Sequence, residues 1–381
     1  MAQRISDDDL QDTINAYHGN GKNQVITAQH LGIARSTLQN RLELAAERGI
    51  KFQPINSHAI GQSLKGVSQY YKRDPKTGEA IPAGFWVKGS KDAEAMRAAL
   101  DAVVKSMCED IPRQKLTPPP KHTNSDLASL YVITDYHFGQ LSWGEETGAD
   151  WDLKIAEETL IKWFSTAISL APDSKVGVLA QLGDFMHTDG WLAMTPTSGN
   201  LLDADSRFPK IVQTCVRALR SVVNLMLLKH DEVHLILAEG NHDLASSVWL
   251  RTMFAALYEN EPRVKVDTSS IPYYCFEWGQ TALFFHHGHK RKVEDLSMVF
   301  TGLFREVIGR TKYAYGHSGH MHHQHVKEDQ IMVMRQHPTL AAMDAHSARL
   351  GYRSLRTAPV ITYSKKFGRV AETEVSPEMV K

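Results

Sequence analysis

At 381 residues the chain is too long for one ordinary small domain, and its length suits two or three units. With 42% hydrophobic and 23% charged residues, and 43 basic residues balancing 43 acidic ones, it reads as globular and has no molecule-wide basic field to draw it to nucleic acid. Cys108, Cys215 and Cys275 form neither a CxxC pair nor a disulfide framework, the opening MAQRISDDDL has no apolar signal-peptide core, and no apolar run reads as long enough to span a bilayer. These features predict a cytoplasmic protein with no membrane partner.

Three regions separate by pattern, at 1–50, 51–125 and 126–381. In the first, Asp7, Asp8 and Asp9 favour a helix N-terminus, and a helix is expected from there to about Tyr17, broken by GNGKN. In ITAQHLGIARSTLQNRLELAAERG, residues Ala28, Leu31, Ile33, Leu38, Leu42 and Leu44 predict two short helical faces separated by a glycine turn, with Ser36 as N-cap of the second. Ala28, Gly32 and Leu38 stand at helix-turn-helix spacing, and the stretch resembles bacterial and phage helix-turn-helix units. That resemblance implies a recognition helix offering Ser36, Thr37, Gln39, Asn40 and Arg41 to phosphates or base edges, with DNA as partner. The near-neutral charge of residues 1–50 leaves open a small helical bundle that mediates other contacts.

In the second region, SLKGVSQYYKRDPKTGEAIPAGFWVKGSKD predicts a β-hairpin turning at DPKTG. Its Lys65, Lys72, Arg73, Lys76, Lys88 and Lys91, interleaved with Tyr70, Tyr71 and Trp86, suit either a nucleic-acid backbone or a solvated face. An amphipathic helix is expected over 92–111, then a Pro-rich linker. The third region alternates buried-strand runs (LASLYVITD, KVGVLAQLGD, EVHLILAEGN, TALFFHHGH, YAYGHSGHMH, IMVMRQH, PVITYS) with helices such as LKIAEETLIKWFSTAISLA and FPKIVQTCVRALRSVVNLMLLK, which argues for α/β layers.

The strand candidates end in metal-binding residue types: Asp135 and His137, then Asp184, then Asn241, His242 and Asp243, then His287 and His289, then His320 and His322. Ligands of α/β sheets sit beyond the carboxyl ends of strands, so these ends are expected to converge on a cage of carboxylate, imidazole and amide oxygen. Such a set suits manganese, iron, nickel or zinc, and lacks the thiolates of a structural zinc knot. Asp135/His137 and His320/His322 are each two apart, a spacing that points both members of a pair the same way on extended backbone. The glycines before Asp184, Asn241 and His320 are expected to permit close turns.

The blocks DYH, GD, GNHD, HGH and GHMH, in that order over about 190 residues, resemble the signature of the calcineurin-like metallophosphoesterases. The resemblance spans about two-thirds of the chain. It implies an α/β fold, a four-layer α/β/β/α sandwich with two divalent metal ions. Asp135, His137 and His322 would hold the first ion, Asn241, His287 and His320 the second, and Asp184 would bridge them; His242 would face the substrate phosphate. His187, Asp243 and His289 would stand behind the ligands or meet substrate, and His286 would turn into the packing. Ions roughly 3.5–4 Å apart would share a water and lower its pKa, giving a hydroxide that attacks phosphorus in line. DYHFGQL, GDFMHTD and GHMHHQ further resemble blocks of SbcD-type DNA repair exonucleases, and a helix-turn-helix before a phosphoesterase resembles phage and prophage layouts. The expectation is a manganese-dependent phosphodiesterase, a DNA nuclease; a phosphodiesterase or phosphatase for small nucleotides is the alternative, and a homo-oligomer is compatible with either.

Overall fold

The computed structural model describes residues 5–20, 22–50, 62–73, 80–91 and 116–380. The chain divides into two compact units, Met1–Ala99 and Leu100–Lys381. The first opens with helices Asp7–Gly19, Gln24–His30 and Arg35–Glu47. Ser6 caps the first by accepting the Asp9 N–H, and Asn23 caps the second by accepting from Val25 and Ile26. Ser36 is not the N-cap of the third: Ala34 holds that place in extended backbone, with no side-chain cap, and Ser36 falls inside the first turn. Gly32, at φ +64°, makes the turn between the second and third helices. Leu10, Ile14 and Ala45 are buried together as a small core. Strands β1 (Gln62–Arg73) and β2 (Ala80–Lys91) pair antiparallel, as the hairpin pattern predicts. The expected turn residues DPKTG and the expected helix over 92–111 lie outside the described residues.

The second unit has two sheets. Its strands are β3 (Asn124–Ile133), β4 (Ser174–Gln181), β5 (Glu232–Leu237), β6 (Val264–Val266), β7 (Tyr274–Trp278), β8 (Thr281–Phe285), β9 (Tyr313–Ser318), β10 (His325–Glu328), β11 (Val333–Gln336), β12 (Ala358–Ser364) and β13 (Gly368–Val375). The larger sheet runs β13-β12-β3-β4-β5-β6, and the smaller runs β10-β11-β9-β8-β7. β3 to β6 are mutually parallel, as are β8, β9 and β11.

Period-two alternation sets the layers. Ala128, Leu130 and Val132 of β3 pack between the sheets with Phe276, Leu283 and Phe285. Tyr131 and Ile133 point the other way, into a core with helices Leu153–Leu170, Phe208–Lys229 and Leu244–Leu257. Ala282 and Phe284 leave the far face of β8 to meet Leu296 and Phe300 of helix Val293–Leu303. Helices therefore cover the outer faces of two stacked sheets, a mixed α/β sandwich.

The expectation that no run could span a bilayer is corrected here. Helix Phe208–Lys229, whose most apolar 18-residue stretch has a mean hydropathy of 1.4, is long and apolar enough to cross a membrane by length and composition. Its Ile211, Cys215, Leu219, Val222 and Met226 are instead buried in the core. Its Lys210 and Arg217 remain exposed, so it is an amphipathic helix of the core.

Candidate metal centre

The parallel strands of both sheets deliver their carboxyl ends to one edge. Thr134–His137 follow β3, Asp184 and His187 follow β4, and Asn241–Asp243 follow β5; His287 and His289 follow β8, and His320 and His322 follow β9. Neighbouring turns are laced by backbone bonds: Asp135 N–H donates to Gly183, His137 N–H to Asp184, and Gly319 N–H to His287.

Here the extended-backbone reading of the paired spacings is wrong. Among the described residues, positive φ at a non-glycine occurs at Lys22 and at five of the candidate ligands: Asp135 (49°), His137 (51°), Asp184 (51°), His320 (75°) and His322 (55°). Each strand has already ended, and the ligands sit in left-handed turns that cost about 1–2 kcal/mol apiece. Members of a pair face one centre because the chain curls around it. Two glycines make the curl feasible: a Cβ on Gly240 would collide with the Asp184 carboxylate, and one on Gly319 with the Thr134 hydroxyl.

Three overlapping sets of donors have ligand atoms all within 4.8 Å of one another: Asp135, His137 and His322; Asp135, Asp184, His287 and His320; and His137, His187 and His242. His322 Nε2 lies 3.1 Å from Asp135 Oδ1, and His287 Nε2 lies 3.2 Å from both Asp184 Oδ2 and Asn241 Oδ1. Asp135 is as central as Asp184, since its Oδ1 is also 3.9 Å from His287 Nε2. His287 Nδ1–H is anchored on the Leu182 carbonyl at 2.8 Å, which turns Nε2 inward, the orienting bond that metal-ligating imidazoles need. A compact O/N cage with no thiolate fits divalent first-row ions.

The electrostatics belong to buried charges in mutual contact. Burial opposes ionisation of Asp135 and Asp184, yet the neighbouring histidines hold both carboxyls below the usual range. Burial also opposes the His287 charge, but Asp184 and Asp135 lift that imidazole to about 10, and Asp135 raises His322 against the same penalty. His137 and His320 are pushed down by burial, and His187 to about 3.

Of the remaining candidates, His242 donates its backbone N–H to Asp184 Oδ1 (2.8 Å) and Nδ1–H to the His187 carbonyl (2.9 Å). His187 sets Nδ1 3.3 Å from His137 Nδ1. The Asp243 carboxylate accepts from the backbone of Asp184, Phe185, Met186 and Gly240. Burial, then the Asp184 charge, pushes its carboxyl up to about 7. His286 stacks on Tyr273 at 4.6 Å, away from the donor sets, while His323 and His325 are exposed. Ser36, Gln39 and Asn40 are exposed in the first unit, and Thr37 and Arg41 are half-buried.

Sequence reasoning passed over three supporting residues. Thr134 donates its hydroxyl to Asp135 Oδ2 (2.5 Å), and Thr339 donates to the Asp135 carbonyl (2.7 Å). Asp189 accepts the N–H groups of Ala245 and Ser246, capping helix Leu244–Leu257 in place of its own N-cap, Asp243, whose carboxylate is committed elsewhere. Thr134 adjoins a ligand and Asp189 closes the GDFMHTD block, so both were legible as neighbours; Thr339 acts from far along the chain, where no local spacing marks it.

No protein-family model matches the chain, and no curated protein matches it. Solved structures that resemble it include a predicted phosphoesterase from Streptococcus pneumoniae (9% identity, 66% of this chain and 99% of that one, TM-score 0.30). Zinc-complexed Vps29 from Entamoeba histolytica is another (12%, 66% and 99%, 0.30), as is an archaeal phosphodiesterase (12%, 65% and 98%, 0.32). The first and third of these are described as a phosphoesterase and a phosphodiesterase. At such TM-scores the likeness carries no weight for the chemistry of this chain, which rests on its own site.

Proposed function

We propose that the chain is a dinuclear-metal-dependent phosphodiesterase acting on DNA. The observation that carries this reading is the convergence of two carboxylates, an amide oxygen and several imidazoles, from five strand ends of both sheets, within one cage. Asp135, His137 and His322 would hold one ion and Asn241, His287 and His320 the other, with Asp184 shared; manganese is the proposed metal. When bound, the ions supply positive charge for the phosphoryl oxygens and a water acidic enough to lose its proton near neutral pH. The protein's part is to hold the ligands on left-handed turns and to present His242. With Nδ1–H committed to the His187 carbonyl, Nε2 remains for the substrate, and as imidazolium it donates a proton to the leaving oxygen.

Support for DNA comes from the first unit, where the helix after the Gly32 turn exposes Ser36, Gln39 and Asn40, with Thr37 and Arg41 half-buried. The test is hydrolysis of labelled single- and double-stranded DNA with manganese, beside Asp184→Ala and His242→Ala. Cleavage by the wild type and its loss in both variants supports the reading. Intact DNA, with bis(4-nitrophenyl) phosphate or a mononucleotide turned over, moves the assignment to small nucleotides. Gln39→Ala/Asn40→Ala should weaken DNA binding and leave small-diester turnover alone.

A further inference from the structure

A cavity of about 430 Å³ opens beside His320, and its wall includes His289, Lys290, Arg291, Lys292 and Glu294. Lys290 is already paired with Glu239 at 2.5 Å. Arg291 and Lys292 are exposed, and among the described residues neither has a carboxylate within ion-pair distance. The cavity therefore keeps two cations against one acidic wall residue, Glu294. An independent observation comes from His289. Its side chain is only 9% exposed, neither ring nitrogen has a hydrogen-bond partner, and the Glu239 carboxylate stands 3.8 Å off. A buried polar ring left unsatisfied costs free energy unless a ligand completes it. The His289 ring centre is 6.5 Å from that of His320, so the cavity adjoins the candidate metal cage directly.

We infer that this cavity receives a second phosphate group of the substrate, adjacent to the phosphate being hydrolysed. The inference rests on the phosphodiesterase reading and adds to it a preference for substrates with two neighbouring phosphates. A guanidinium and an ammonium suit a phosphate by charge, and the guanidinium also by paired N–H donors. His289 would contribute one neutral hydrogen bond only by turning its ring toward the cavity, since both ring nitrogens are buried as placed. A diester with a single phosphate leaves the cavity unused.

The experiment compares thymidine 5′-(4-nitrophenyl phosphate) with the same compound carrying a 3′-phosphate, in the full-length protein with manganese. The wild type should favour the two-phosphate compound in kcat/KM by about tenfold, and Arg291→Ala/Lys292→Ala should erase that ratio. The charge-conserving Arg291→Lys/Lys292→Arg should restore most of it. A second readout needs no turnover: anisotropy of fluorescein-labelled tetrathymidylate and of labelled thymidine 3′,5′-bisphosphate, both in EDTA. The alanine pair should bind the strand about tenfold more weakly, with a salt slope smaller by about one to two. Weakening of both probes places a terminal phosphate in the cavity; weakening of the strand alone places an internucleotide phosphate there. An unchanged ratio together with unchanged affinities overturns the inference. If the wild type hydrolyses neither compound, the hydrolytic reading fails on its own, and the anisotropy arm still decides whether the cavity binds phosphate.

Discussion

The Asp243 carboxylate accepts the backbone N–H of Phe185 at 2.7 Å, so one buried side chain ties the turn after β4 to the turn after β5. It also accepts from Gly240 at 3.0 Å. Asp243→Asn keeps the shape but replaces one acceptor oxygen with an NH2 group that must confront a backbone donor. Stability should fall by about 1–3 kcal/mol, read from the urea midpoint, and manganese affinity should fall with it. A variant as stable and as avid for metal as the wild type would show that this fastening is idle.

His320 sits at φ 75°, where only glycine is at ease. Its backbone N–H, which a glycine would retain, donates to Asp135 Oδ2 at 2.8 Å. His320→Gly should therefore stabilise the metal-free protein by about 1 kcal/mol while sharply reducing the stabilisation gained on adding manganese. Thermal melts in EDTA and in manganese separate the two effects. Lower stability in EDTA would mean the ring contributes more by packing than the turn costs.

That strain marks the limit of what could be read from the chain. The layers were legible because buried-strand runs alternate with helices, and the site because the strand ends were rich in ligand types; that Leu130 faces one core and Tyr131 the other was not, since both faces of β3 are apolar. Strands β6, β7, β10 and β13 were not expected: Val264–Val266 is too brief to carry a period, and β13, though eight residues long, is an exposed edge rich in charge. The candidate ligands could be found by spacing, but their conformation could not. A two-residue interval reads as extended by default, whereas Asp135 and His137 curl because Gly183 and Asp184 on the next turn hold their N–H groups. Distant supports such as Thr339 carry no local signal at all.

Proton release should accompany metal binding. His287 is lifted to about 10 by the Asp184 and Asp135 charges, which outweigh burial, so near pH 7 the metal-free site holds it protonated. Ligation needs the neutral ring, so each proton displaced makes the apparent affinity rise by about tenfold per pH unit below that pKa. His322, raised for the same reason, adds to the effect. Calorimetric titration of manganese in two buffers of different ionisation enthalpy counts the protons; heats independent of buffer would refute the prediction.

His230 should contribute to acid sensitivity, beside other buried histidines such as His317. Its Nδ1–H donates to the Ser174 carbonyl, and its Nε2 accepts the Tyr131 hydroxyl at 2.8 Å, an arrangement only the neutral ring satisfies. Burial lowers its pKa from 6.5 to about 4. The folded pKa is depressed, so this contribution is fully present above 6.5 and is lost as pH falls through about 4, up to about 3 kcal/mol in all. Urea midpoints at pH 7.5 and 4.5, in EDTA, should differ less in His230→Asn than in the wild type. Equal differences would remove His230 from the explanation.

The candidate ligands are divided between two sheets: Asp135, Asp184 and Asn241 stand on the larger, His287 and His320 on the smaller. Neither sheet alone holds a complete set, so the cage exists only after the two have stacked. Cations would then arrive late in folding, as a latch rather than a seed. They should slow unfolding, by the affinity the assembled state alone possesses, and leave the rate of folding nearly unchanged.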